Sequence, residues 1–489
     1  MKRRRLFHIL MLSLLFSTPL LVHNPIISHA ETTKKITLLV NTRQIYSDNK
    51  VTYAQAPIQI KHGVTYVPLR ALGDVIGATT VYDSKTKNVT LTKDGKSLRL
   101  KVNSKVYSFD NKEKTFPIGM PFLDKQTTML PLRTIAEHFG ATVTPKLAEN
   151  KIEVIFNIEP SIGNIMMING REVLNFDSVN PIVDDKQFTL IRNNSPEQIT
   201  QEGIYYKDKI NGDARILVHQ QNSLSEGAKM YVIAENKGDT DSYVTLRNIG
   251  LGGPNPYTAF TGKESVGQYL SNFHRGIDMP SVRIPAGSKK VLIPELSDKV
   301  LRPKDVITMY ADIFASSEVS LEIIALKESS LLDKVYPSLQ DILRDGKHTR
   351  GTFSTGNREI SVSEELGAKK QRLLIGDGEV DPYIQGVDKM TGLEEINYGN
   401  RGMLYKIHLK KVAPNTTIVF NGRGGSYAGS IAVNENVIRL PDQGVLSSSN
   451  EGVVLYRTKN IAEEVLIYFI PASGSDLPVN LLFYPLDKQ

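Results

Sequence analysis

The 489-residue chain contains no cysteine. That excludes thiol catalysis, disulfide staples and cysteine-ligated zinc. Outside residues 1–30 it holds only six histidines, His62, His138, His219, His274, His348 and His408, widely spaced and with no His-x-His pair. Neither H-E-x-x-H, nor the G-x-S-x-G frame of a nucleophile elbow, nor a P-loop occurs. The composition is otherwise ordinary for a globular protein, 40% hydrophobic and 23% charged. A chain of this length builds a large core without help from metal or disulfide.

Lys2, Arg3, Arg4 and Arg5 precede an apolar run from Leu6 to Val22, and Ser28-His29-Ala30 places small residues where a signal peptidase reads them. This pattern predicts a signal peptide over residues 1–30. Pro19, Ser13, Ser17 and Thr18 break the run below the ~20 apolar residues of a membrane span. No stable span is therefore expected after cleavage. The formal charge of +7 falls to +3 without residues 1–30. So weak a positive balance gives no case for nucleic acid, which calls for a concentrated basic face.

The phrase TYVPLRALGDVIGAT at 65–79 returns as TMLPLRTIAEHFGAT at 128–142, with Pro68/Pro131, Arg70/Arg133 and Gly77/Gly140 in register. Such an offset signals an internal repeat. In each phrase the apolar period switches from two to about 3.6. Val64, Tyr66 and Pro68 alternate, then Leu69, Leu72, Val75 and Ile76 fall on one helical face. Proline suits a helix start and glycine a left-handed stop. Two-turn helices do not stand alone in water, so each must dock on neighbouring strands. Arg70 and Arg133 read as first-turn arginines whose stems cover apolar surface.

The doubled P-L-R-x6-G-A frame, with Val40-Asn41 and Val102-Asn103 opening the two units, resembles the stalk-type N-terminal domain of copper amine oxidases, found in secreted and surface proteins of Gram-positive bacteria. The resemblance covers about residues 36–157 and implies a non-catalytic domain. It departs from the family in Tyr82, where tryptophan is common, and in Pro145. Oxidase activity itself would need three histidine ligands and an Asn-Tyr-Asp/Glu motif; Asn397-Tyr398-Gly399 lacks the acid.

The domains expected are a signal peptide at 1–30, an α+β stalk domain of two repeats at 31–158, a β-sandwich at 159–328, a connector at 329–349 and a second β-sandwich at 350–489. Beyond residue 158 helical periodicity fades and short alternating strands dominate, such as Lys229–Glu235, Val306–Phe314 and Val319–Ala325. Phrases in the last block, RGTF at 350–353 and NGRGG at 421–425 among them, resemble uncharacterised C-terminal regions of other stalk-domain proteins, a resemblance that implies architecture and no chemistry.

Three loops are candidate sites. In NGRGGSYAG (421–429), Gly424 and Arg423 suit anion capture, against the simpler reading of a glycine-rich hairpin. In DGEVDPY (377–383), Asp377, Glu379 and Asp381 could give calcium three hard oxygens, against an acidic turn. In PNPYTAFTG (254–262), Tyr257 and Phe260 could form an aromatic platform for a sugar, against a loop with one buried ring. No catalytic residue and no cofactor is indicated. The expected function is a secreted, non-catalytic surface or wall-associated protein whose stalk positions β-sandwich modules, with a cell-wall polymer, polysaccharide or surface protein as partner. The alternative is an extracellular carbohydrate-active or other hydrolytic enzyme carrying the stalk as an accessory.

Overall fold

The computed structural model describes residues 33–47, 50–93, 95–157, 161–276 and 279–485. The expected signal segment at 1–30 lies outside them. The protein is mostly β, with 52% strand against 12% helix.

Both P-L-R phrases fold as a strand running into a short helix. Val64–Pro68 leads into Leu69–Ile76, and Thr127–Pro131 leads into Leu132–His138. Gly77 caps the first helix in the left-handed conformation, at φ 69° and ψ 34°. The second stops one residue earlier than its glycine: Phe139 is the cap, and Gly140 follows with φ 83°. The two entering strands pair with each other, antiparallel, with Val67 opposite Leu130. Arg70 is exposed, while Arg133 donates through Nη2 to the Val143 carbonyl at 3.2 Å, as a scaffold arginine should.

Two five-stranded sheets complete this N-terminal unit. One joins Thr79–Asp83 and Asn88–Lys93 to the three strands between Lys96 and Thr115. The other joins Ala141–Lys146 and Lys151–Asn157 to the three strands between Thr33 and Tyr53, so that Ile36 faces Val154. Alternation buries one face of each, as with Val89 against Leu100 and Leu91 against Leu98. The unit's core runs from Ile36 to Phe156 and draws on no described residue outside that stretch.

The rest of the chain is knit differently. A spine of two very long antiparallel strands, Gly203–Asn222 and Val306–Lys327, anchors an eleven-stranded sheet. Val306–Lys327 was expected as two strands. It is one, because the polar Ser316-Ser317-Glu318 stretch is absorbed by a bulge opposite Asn211 instead of a turn. Two six-stranded sheets share a second core in which Phe420 and Leu481 of one sheet join Ile407 and Phe469 of the other. Pairing is not purely antiparallel: Thr189–Asn193 runs parallel to Gly203–Asn222, and Asn357–Val362 parallel to Leu404–Val412.

Hydrogen bonding crosses the expected 329–349 connector repeatedly. Ile182–Lys186 pairs with Asn357–Val362, and Thr189–Asn193 with Arg350–Phe353. Ile165–Met167 is an edge strand on Glu451–Arg457. The stretches 159–328 and 350–489 therefore contribute to shared sheets. Alternation within each stretch could not reveal partners so far away in the chain.

Among the elements missed is the 18-residue helix Thr258–Arg275. It lies on Ser242–Asn255 at backbone contact. A Cβ on Gly250 would fall 2.0 Å from the Ser265 carbonyl oxygen, and one on Gly252 would fall 1.9 Å from that of Thr261. Glycine at both positions is what lets the helix in. Side chains then tie the two together: Ser265 Oγ donates to the Gly250 carbonyl at 2.7 Å and Asn272 Nδ2 to that of Ile249 at 2.9 Å. The other flank of the helix meets Gly429–Val433, where Ser430 Oγ donates to the Lys263 carbonyl at 3.1 Å. The helix thus spans elements from both halves of the post-157 chain.

Candidate functional site

A groove of about 820 Å³ runs between this helix and the Gly429–Val433/Asn436–Leu440 hairpin. Its lining is polar and mixed in charge, with Gln268, Asn272, Lys263, Arg275, Glu264 and Asp442 prominent. A second hollow of about 640 Å³ continues on the far side of the hairpin and shares Arg439 and Asp442 with the first. Exposed aromatic surface edges the groove where the helix begins. Phe260 is 37% exposed and Tyr257 67% exposed, their rings edge-to-face with centroids 6.1 Å apart. Asn255 Oδ1 accepts the Tyr257 N–H at 2.8 Å, which fixes the turn that presents the ring.

Lys263 is the unusual group in this lining. It is only 6% exposed, and its Nζ donates to the Asp442 carbonyl at 3.1 Å and to that of Gly444 at 3.4 Å. Burial pushes its ammonium down to about 8; the field of Asp442 opposes that shift and Arg439 adds to it. Glu264 is held by the Gly253 N–H at 3.0 Å, and Asp442 lies 3.7 Å from Arg439. The groove offers fixed donors and acceptors beside an apolar ring face, which is how a protein orients a ligand that is itself both polar and planar-faced.

The residues singled out from sequence do not assemble into one site. Tyr257 caps the start of the helix, next to Phe260 but outside the groove lining, and both aromatic rings reach the surface. Arg423 and Gly424 sit on a separate turn after Thr416–Asn421, with φ of 56° and 95°. That turn is pinned by Asp476, whose carboxylate accepts the Ser426 N–H at 2.7 Å. Arg423 stays exposed there and feels Arg372 and Asp377, while partial burial and Arg372 depress its basicity.

Asp377, Glu379 and Asp381 do not gather into one cluster. Asp381 is 0% exposed and points inward, pairing with Arg358 and accepting the Gly376 N–H at 2.6 Å and the Tyr405 hydroxyl at 2.7 Å. Asp377 caps its own turn, accepting the N–H groups of Glu379 and Asp381, and Glu379 faces solvent. The buried Arg358 guanidinium already supplies the counter-charge of Asp381. Among the described residues no cluster of His, Asp and Glu is arranged to hold a metal ion.

Sequence reasoning missed Lys263, Glu264, Gln268 and Asn272 because the helix that aligns them was not recognised. The available signal was the Gly250/Gly252 alternation in one strand, matched by small residues at 258, 261, 262 and 265.

Fold and groove define a β-rich protein with a polar, aromatic-edged cleft set apart from an N-terminal unit of short strands and two small helices. Residues 30–154 match the family described as copper amine oxidase N-terminal domain. In the oxidases this is an accessory domain and not the catalytic one. No curated protein matches the chain. No described helix is long and apolar enough to cross a membrane.

Proposed function

We propose that the chain is a secreted, non-catalytic surface or wall-associated protein in which the N-terminal domain acts as a stalk and the helix-edged groove binds a wall polysaccharide. The observation that carries this reading is the pairing of exposed Tyr257 and Phe260 with a long polar lining. In support of the stalk, the N-terminal unit reads as two tandem copies that exchange strands, the last two of each extending the sheet begun by the first three of the other. The facing six-stranded sheets read as one sandwich, built from strands on both sides of residues 329–349. A spacer followed by a β-rich binding region suits a protein that works at a distance from its anchor.

The hydrolase alternative retains one specific support, that Glu264 and Asp442 line the same groove. Both carboxylates are engaged, one by a backbone N–H and one by Arg439. One experiment addresses both readings: residues 31–489, the same chain with Tyr257→Ala and Phe260→Ala, and a chain ending at residue 158 are incubated with purified peptidoglycan and wall polysaccharide. The intact chain should be retained, the short one should not, and the double variant should bind about tenfold more weakly, the equivalent of about 1.4 kcal/mol. Retention of none of them removes the proposal, and release of soluble sugar by the intact chain replaces it with the hydrolase.

A further inference from the structure

Four arginines are buried among the described residues, and three of them meet a carboxylate. Arg215 reaches Asp312 at 2.7 Å, Arg350 reaches Asp388 at 2.9 Å, and Arg358 pairs with Asp381. Arginine does not shed its proton in proteins, so burying it without a counter-charge is costly. Arg192 is the exception. It sits in the Thr189–Asn193 strand and is 5% exposed. Its Nη1 donates to Asn397 Oδ1 at 2.6 Å, and its Nε, also buried, has no partner among the described residues.

A second arginine lies beside it. The Arg401 backbone N–H shares Asn397 Oδ1 at 3.1 Å, and the Asn397 amide donates back to the Arg401 carbonyl at 2.9 Å. The Arg401 guanidinium donates to the Ala472 carbonyl at 2.8 Å and to that of Ser475 at 2.6 Å. All these acceptors are neutral. The acids in the neighbourhood are engaged elsewhere: Glu395 with Arg344, Glu197 with His348 at 3.1 Å, Asp476 with the Ser426 N–H at 2.7 Å. Hydroxyl groups lie nearby and are themselves engaged, Tyr310 Oη donating to the Pro471 carbonyl at 3.4 Å. Tyr310 Oη accepts the Ser473 N–H at 3.0 Å and shares a hydrogen bond with Ser473 Oγ at 3.1 Å. His219 Nδ1 pairs with Thr308 Oγ1 at 2.8 Å. Burial, helped by both arginines, lowers this imidazole to about 3, so it is neutral and the local charge comes from the two guanidiniums.

We propose that Arg192 and Arg401 form a binding site for a small oxyanion, a carboxylate or phosphate group, which supplies the counter-charge that the surrounding residues lack. The guanidinium fork matches both groups in two-pronged geometry. The site is independent of the sugar-binding reading of the groove and stands or falls without it.

Thermal unfolding of the full chain tests the assignment. The protein is held in chloride buffer and titrated with sodium phosphate or sodium acetate against sodium chloride of equal ionic strength. A ligand that binds the folded state alone raises the unfolding temperature in a saturable way. At least one of the two probes should do so, and the one that acts names the ligand class. Arg192→Met and Arg401→Met should each abolish the rise. Should Arg192→Met fail to fold, Arg401→Met, at the more exposed residue, carries the test. The proposal is overturned by a response to both probes no larger than to chloride, or by a rise that survives undiminished in Arg401→Met.

Discussion

The N-terminal unit and the remainder of the chain bury different chemistry. Between Ile36 and Phe156 the core is aliphatic and aromatic, and the one charged residue among its buried described side chains, Glu153, sits at the rim with Lys35 at 2.6 Å and Lys146 at 3.3 Å. Between residues 161 and 485 the interior contains Arg215, Arg350 and Arg358 with their carboxylates. The contrast follows from topology. Most N-terminal strands meet neighbours in sequence, and the two distant pairings, Ile36 with Val154 and Val67 with Leu130, join apolar residues. The larger region must join strands from opposite ends of the chain, and directional ion pairs select among arrangements that apolar contacts alone would tolerate.

Removing one member of a buried pair should break that contrast most visibly. Arg215 also contacts the Tyr269 hydroxyl at 2.7 Å and the Gly356 carbonyl at 3.0 Å, so Asp312 holds a junction of strand, helix and loop. Asp312→Ala leaves a guanidinium buried without its carboxylate, and the expected cost is about 3–5 kcal/mol. The loss should appear as a lower denaturant midpoint for the region beyond residue 160, with the N-terminal unit unmoved. A single shared shift would mean that the two regions unfold as one.

The complementary change lies at Leu132, fully buried at the start of the second small helix. Leu132→Ala should cost roughly 2–5 kcal/mol through lost burial and the cavity left behind. Calorimetry should place this loss in the N-terminal transition. If Leu132→Ala instead lowers the stability of residues 161–485, the separate core described for residues 36–156 is wrong.

The same contrast governs what could be read from sequence. Proline and glycine bracketing a period of 3.6 is a local signal, and Leu69, Leu72, Val75 and Ile76 are all buried where that period places them. The helix Thr258–Arg275 carried no comparable stripe. Val266, Tyr269 and Leu270 bury, but Thr261 and Ser265 are buried too, against the backbone of Gly252 and Gly250, and Gly262 against that of Ser473. A hydrophobic pattern cannot register packing made by the absence of side chains. The Tyr257/Phe260 pair was visible because two aromatics stand close together in one short phrase. Lys263 and Asp442 were not, since their meeting depends on a hairpin nearly 180 residues further along. Asp381 misled for a related reason: its acidic neighbours are adjacent in sequence, whereas its partner Arg358 is adjacent only in space.

The smallest expected effect concerns Lys263, where the polar interior reaches the groove. Its ammonium rests at about 8 against an ordinary 10.5, chiefly because burial removes water from the charge. Between those values the unfolded chain holds a proton that the folded one has released. Folding stability should therefore rise as pH increases from about 8 toward 10.5, and this residue should contribute no slope below 8. Urea midpoints at pH 7.5 and 9.5 measure the rise. Lys263→Met should flatten it, since methionine fills the same channel without titrating. Equal slopes in the two proteins would mean that the lysine is hydrated like a surface residue, and that the groove wall beside Asp442 and Gly444 is more open than its hydrogen bonds indicate.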